Sequence, residues 1–193
     1  MATLALAALA RPAAARFTPH LAALAGGGGV TDFAYGEYRA RTTPGGAWDL
    51  RITIGTRTPL AVELGYVGTV QLVRDPLAPD PALQSNAVEA VARLNLATGR
   101  VQPFVTGGAG WINFHSYGHD EAPGVAREFV SDSNGVVVPL GAGVATYLGE
   151  HFVLDTRFTY RVVPEKLLAG DDRSVSETRA DHWTAMLRGG YAF

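Results

Sequence analysis

Residues 151–163 read HFVLDTRFTYRVV, and their side chains alternate in character. Phe152, Leu154, Phe158 and Tyr160 fall on one parity, while Asp155, Arg157, Thr159 and Arg161 fall on the other. Successive residues of a β-strand point to opposite faces. A period of two with the apolar and ionised sets separated therefore marks a strand with one greasy and one charged side. A helix, repeating roughly every 3.6 residues, would mix the two sets.

The pattern recurs in both directions from this stretch. Residues 181–193 set Trp183, Ala185, Leu187, Tyr191 and Phe193 against His182, Thr184 and Arg188. Upstream, 136–147 set Val138, Leu140, Ala142 and Val144 against Gly141, Gly143 and Ala145, a small-residue face suited to a narrow interior. Residues 101–114 are rich in glycine, with Val101, Pro103, Val105, Ala109 and Trp111 on the more apolar face. Residues 86–96 set Val88, Ala90, Ala92, Leu94 and Leu96 against Glu89, Arg93 and Asn95. In 60–72 the sets are Leu60, Val62, Leu64 and Tyr66 against Ala61, Glu63 and Gly65. In 47–58 they are Trp48, Leu50, Ile52 and Ile54 against Asp49, Arg51 and Thr53. Residues 22–35 complete the count as a first strand, in which Gly26–Gly29 permit tight curvature. No lysine-bearing helix start follows these glycines, so they are not a phosphate cradle.

The connections alternate as well. Those near 57–59, 98–100 and 149–150 are tight, and those near 36–46, 73–85, 116–134 and 164–180 are long. Four long and three short links join eight strands into an antiparallel up-and-down β-barrel, all-β in class. Transmembrane barrels have short turns at one end and longer loops at the other. A strand of about eleven residues, rising roughly 3.3 Å per residue at a tilt of about 40°, spans roughly 28 Å, a bilayer's apolar thickness.

Composition agrees with this reading. The 193 residues suffice for one domain, and 23 glycines with only 18% charged residues are unusual for a water-soluble globule. No apolar run is long enough for a spanning helix. A net charge of −2 and a pI near 6.2 give no basic field for nucleic acid, which is excluded as a partner class. The lack of cysteine excludes disulfides and thiolate metal sites. Residues 1–21 are read as a truncated signal or leader segment: MATLALAALARPAAA is apolar with a small-residue end, but without the preceding basic residues of a secretory signal.

In a soluble barrel the apolar face would fill the interior; in a membrane barrel it would meet lipid. The charged faces carry Asp49, Glu63, Glu89 and Asp155 against Arg51, Arg93, Arg157, Arg161 and Arg188, a near balance suited to pairing in confinement. Arginine's planar fork is the cation of choice for desolvated carboxylates, although Lys166 is the chain's only lysine and its arginine usage is general. The expectation is a transmembrane barrel whose lumen is plugged by this network, with Trp48, Tyr66, Trp111, Tyr160, Trp183, Tyr191 and Phe193 at the two membrane interfaces.

The last strand, HWTAMLRGGYAF, resembles the sorting signal of bacterial outer-membrane barrels: a terminal aromatic preceded by apolar residues at alternate positions, here Phe193, Tyr191, Leu187 and Trp183. VQPFVTGGAGW and VVVPLGAGVATYLG look like internal strands of small barrels related to the transmembrane domain of outer-membrane protein A. The resemblance, over about residues 22–193, implies residence in the bacterial outer membrane, contact with its lipid, and insertion by the barrel assembly machinery. It implies no chemistry.

Candidate chemistry is sparse. His115, Ser116, His119, Asp120 and Glu121 cluster in or beside the third long link, where two histidines four apart offer metal nitrogens without a secured third ligand. Adjacent strand residues point apart, so His115 is badly placed to activate Ser116. Asp171 and Asp172, before Arg173, read as a solvated acidic loop in preference to a calcium site. The expectation is a protein without cofactor, metal or catalytic group. Two alternatives remain open: a soluble lipocalin-type barrel, with Leu50, Ile52, Leu154 and Phe158 lining a pocket, and a membrane-embedded lipid hydrolase or acyltransferase using His115 or His119.

Overall fold

The computed structural model describes residues 22–74, 82–117, 132–164 and 179–193. Its strands are β1 (Ala22–Phe33), β2 (Gly45–Ile54), β3 (Leu60–Leu72), β4 (Ala82–Asn95), β5 (Val101–Tyr117), β6 (Asp132–Leu148), β7 (Phe152–Val162) and β8 (His182–Ala192). Each pairs antiparallel with the next, and β8 returns to β1, so the eight strands close into an up-and-down barrel. Closure removes the exposed sheet edges that would otherwise invite aggregation. Among the described residues, no helix is long and apolar enough to cross a membrane.

The alternating faces explain why each segment is a strand. Exposed Leu50, Ile52 and Ile54 interleave with buried Asp49, Arg51 and Thr53 on β2, and the same inversion continues around the wall. Two tight turns depend on glycine: Gly55 and Gly149 have φ of +85° and +75°, a region costly for residues with a Cβ.

The structure departs from the sequence reading in two places. The link expected over 36–46 contains a short helix, α1 (Gly36–Arg41). Thr42 ends it, donating from Oγ1 and from its backbone N–H to the Tyr38 carbonyl, at 2.7 and 2.9 Å. Six residues are too few to show a helical period; the helix is held by Tyr38, whose buried ring packs 5.5 Å from that of Phe33.

The second departure is length: β4 starts at Ala82 and not Asn86, β5 runs on to Tyr117, and β6 starts at Asp132. Here polar residues stand on the outer parity, which hides the alternation. They pair across strands, with Tyr66 donating to Asn86 Oδ1 at 2.6 Å and Tyr117 to Gln84 Oε1 at 3.1 Å.

The seam between the first and last strands is built from glycine. Gly26 stands opposite Gly189, Ala25 opposite Gly190 and Gly27 opposite Arg188. A Cβ on Gly27 would lie 2.0 Å from the Leu187 carbonyl oxygen, whereas one on Gly189 would meet nothing within 4 Å. Gly27→Ala is therefore expected to destabilise the barrel by about 1–3 kcal/mol, the usual cost of overpacking. Gly189→Ala should change it by no more than about 0.5 kcal/mol. Urea midpoints of the refolded variants, read by tryptophan fluorescence, check the difference.

Candidate functional site

The nine ionised side chains singled out in the sequence all turn into the barrel. They come from five strands: Asp49 and Arg51 from β2, Glu63 from β3, Glu89 and Arg93 from β4, Asp155, Arg157 and Arg161 from β7, and Arg188 from β8; none is more than 5% exposed. Strand parity alone puts them there, because each stands an odd number of steps from an exterior apolar residue on the same strand.

Six of them form a closed circuit. Asp49 meets Arg188 at 3.0 Å, Arg188 meets Asp155 in a short contact, and Asp155 meets Arg93 at 3.4 Å. Arg93 meets Glu63 at 3.2 Å, Glu63 meets Arg51 at 3.7 Å, and Arg51 returns to Asp49 at 3.6 Å. Arg157 grips Glu63 with a fork, Nη1 to Oε2 at 2.7 Å and Nη2 to Oε1 at 2.8 Å. Glu89 accepts from Arg51 Nη2 at 2.9 Å and from Arg161 Nε at 2.6 Å, while Arg161 Nη1 donates to Thr184 Oγ1 at 2.9 Å. Bidentate and charge-assisted bonds of this kind are the strong ones.

Long side chains fit a narrow lumen only where neighbours are small. A Cβ on Gly65, which faces inward opposite Arg51, would lie 2.7 Å from the guanidinium carbon of Arg51. Gly143 does the same for the ring of Phe104, and that ring supports the guanidiniums of Arg93 and Arg157 at 3.7 and 4.7 Å. Such cation–π contacts gain strength when desolvated.

Apolar layers close the lumen above and below the charges. Toward the long connections, Phe33, Tyr38, Leu83, Ile112, Phe114 and Val137 are buried together. Toward the short turns, Ala23, Phe104, Ala145, Tyr147, Val153 and Ala192 form a second cluster. The network sits between them, where a lower effective dielectric strengthens each pair and penalises any loss of a partner.

At the rim of the long connections Asp181 ties three segments together. It accepts from the Tyr35 hydroxyl at 2.7 Å, the Tyr160 hydroxyl at 3.3 Å and the Val163 backbone N–H at 2.8 Å, and pairs with Arg179 at 3.4 Å. The bond to Asp181 pushes the Tyr35 phenol up to about 12, because ionisation would break it and set two anions side by side. The contact is therefore kept as pH rises until that value is reached.

The exterior is the apolar counterpart. Leu60, Val88 and Phe152 are more than 60% exposed, and Leu50, Ile52, Leu154 and Phe158, the residues a lipocalin-type pocket would need inside, all lie outside. That reading fails on geometry. Aromatic rings gather at two levels: Trp48, Tyr160 and Trp183 toward the long connections, Phe152, Tyr191 and Phe193 toward the short turns. Trp183 and Phe193 lie ten residues apart, roughly 25 Å along the axis at about 3.3 Å per residue and a tilt of about 40°.

No family model and no curated protein sequence matches the chain. Solved structures do. The N-terminal β-barrel domain of Pseudomonas aeruginosa OprF aligns with a TM-score of 0.54 at 13% identity, over 91% of this chain and 100% of that one. Ail, the attachment invasion locus protein of Yersinia pestis, gives 0.57 at 16%, over 89% and 97%. Neisserial surface protein A gives 0.57 at 14%, over 89% and 94%. The fold is that of small outer-membrane barrels. The likeness extends to the whole length of each barrel and not to the side chains.

The remaining sequence candidates are placed as follows. His115 lies on the outer parity of β5 with its ring 4.3 Å from that of Tyr117, and Ser116 lies on the inner parity. The two therefore face opposite sides of the wall. His119, Asp120, Glu121, Asp171, Asp172 and Arg173 lie outside the described residues. Trp183, Leu187 and Tyr191 line the outer face of β8, and Phe193, the residue after it, is exposed on the same parity. The sequence reading set Asn95 and Thr184 on the charged faces without counting them in the network, where Asn95 accepts from Arg93 Nε at 2.6 Å and Thr184 from Arg161, and it did not single out Phe104. All three were legible from parity, being in step with the charged residues of their own strands or, for Phe104, with Gln102.

Removing one cation should strand its carboxylates. Arg157→Leu is expected to lower stability by about 3–5 kcal/mol by leaving Glu63 short of its forked partner in a dry interior. Arg39→Leu, whose exposed guanidinium lies 3.6 Å from Asp32 at the rim, should change it by less than about 1 kcal/mol. Urea titrations of both variants test the contrast.

Proposed function

We propose that this chain is an integral barrel of a bacterial outer membrane with a closed lumen and a non-enzymatic role in the envelope, exercised through its long connections. One observation carries it: the wall is apolar outside and ionised inside, the reverse of a water-soluble barrel. Exposed apolar patches of this extent mark contact with lipid or protein. Here the band encircles the whole barrel and is bounded by two aromatic levels, as a bilayer demands.

Insertion is assigned to the last strand. Trp183, Leu187, Tyr191 and Phe193 present a continuous apolar and aromatic edge beside the seam with β1, where the barrel assembly machinery would hold the chain before closure. Outer-membrane lipid is the permanent partner and the assembly machinery a transient one; a net charge of −2 gives nucleic acid no basic field to meet.

Cell fractionation tests both statements. The full chain is expected in the outer membrane and soluble only with detergent, whereas a chain lacking Phe193 should accumulate outside that fraction. Recovery of the intact chain as a freely soluble barrel would overturn the assignment.

The closed lumen has its own measurement. The ionic circuit and the two apolar layers occupy the lumen, so purified protein in planar bilayers should show no large, stable openings. Reproducible single-channel steps from the wild-type protein, lost in heat-unfolded samples, would contradict a plugged interior.

A further inference from the structure

The charges inside the barrel do not sum to zero. Five guanidiniums face four carboxylates, so the dry layer carries one positive charge in excess. A cavity of about 20 Å³ lies on the short-turn side of the circuit. Three guanidiniums, those of Arg51, Arg93 and Arg188, line it, against one carboxylate, that of Asp155. Arg51 Nε and Nη1 and Arg93 Nη2 are buried and make no hydrogen bond among the described residues. Arg51 Nε and Nη1 approach Asp49 and Glu63 only at 3.6 and 3.7 Å, beyond hydrogen-bond reach.

We propose that this cavity is a binding site for one small monovalent anion of halide size. Buried N–H donors without acceptors carry the full cost of desolvation, and an unbalanced buried cation costs more. Water would supply an acceptor but leave the charge. A halide supplies both: it accepts from the unpaired donors of Arg51 and Arg93 and offsets the one surplus positive charge of the lumen. The volume is about that of one solvent-sized particle, which excludes sulfate, phosphate and carboxylates. Ala25, on the same lining, contributes a short side chain that leaves the space open. The anion is structural: it is held within a closed lumen by groups already committed to the wall. Anion binding does not depend on where the barrel resides, and its failure would leave the membrane assignment untouched.

Crystals of the refolded full chain grown in bromide test it directly. An anomalous peak bounded by Arg51, Arg93 and Asp155 is expected; density accounted for by water alone, without anomalous signal, overturns the site. A solution measurement stands beside it. Unfolding is followed in chloride and in gluconate, an anion too large for the cavity, at equal ionic strength. At chloride about ten times its Kd the ratio of unfolded to folded protein should fall about tenfold relative to gluconate. Arg93→Gln, which removes one lining cation and balances the lumen, should abolish the difference, and Arg39→Gln at the rim should keep it. Identical stability of the wild type in the two salts refutes the proposal, as does an Arg93→Gln barrel with an undiminished chloride effect. Where Arg93→Gln does not fold, the bromide crystals and the wild-type salt comparison still decide.

Discussion

An ionised group sealed from water must find its counter-charge within the protein, and the organisation of this barrel follows from that requirement. The lumen is closed by apolar clusters at both ends, so the nine charges between them answer chiefly one another, with Asn95 and Thr184 as neutral partners. Arginine suits the task because one side chain can bond several carboxylates at once: Arg51 stands near Asp49, Glu63 and Glu89. The demand for long side chains is met by short ones elsewhere. Gly65 and Gly143 face inward where Arg51 and Phe104 need space, and the glycine content of the chain is in part the complement of its interior arginines.

The same requirement explains the exterior. Eight strands close a barrel barely wide enough for its own side chains. With polar groups occupying that space, the remaining parity on every strand is left outside, and it is apolar. A chain so built has a large greasy surface by construction, and a lipid phase is the solvent that removes its cost. The polar outer residues of β4 and β5, Gln84 and Asn86 with Tyr117 and the hydroxyl of Tyr66, show where that band ends: there the outer parity turns hydrogen-bonding.

Most of this was legible in the sequence because a period of two reports face directly. Strand number, antiparallel order, the alternation of short and long links, and the inward set from Asp49 to Arg188 all follow from parity and turn residues. Three things did not. α1 is too short to declare itself and is held by the packing of Tyr38 on Phe33. The upper ends of β4, β5 and β6 carry polar residues on both faces, so the contrast that marks a strand vanishes although the hydrogen-bonded ladder continues. The pairing of particular charges depends on which strands face each other across the lumen, and Arg157 with Glu63 join β7 to β3 through the interior. No local pattern encodes a contact across a barrel.

Face and register are specified by different forces. A slip of one residue between neighbouring strands would turn a charged row onto the apolar exterior, and hydrophobic patterning suffices to forbid it. A slip of two preserves every face, and patterning is blind to it. The charges are not. Asp155 stands directly opposite Arg188 in the observed register of β7 and β8. Sliding β7 by two residues one way sets Arg157 opposite Arg188, cation against cation; sliding it the other way sets Val153 there and leaves Arg188 without its nearest carboxylate. Like charges directly opposite across strands are destabilising, and more so in a closed interior. At this strand pair the buried network therefore separates the native register from alternatives that the greasy and polar faces alone would accept equally.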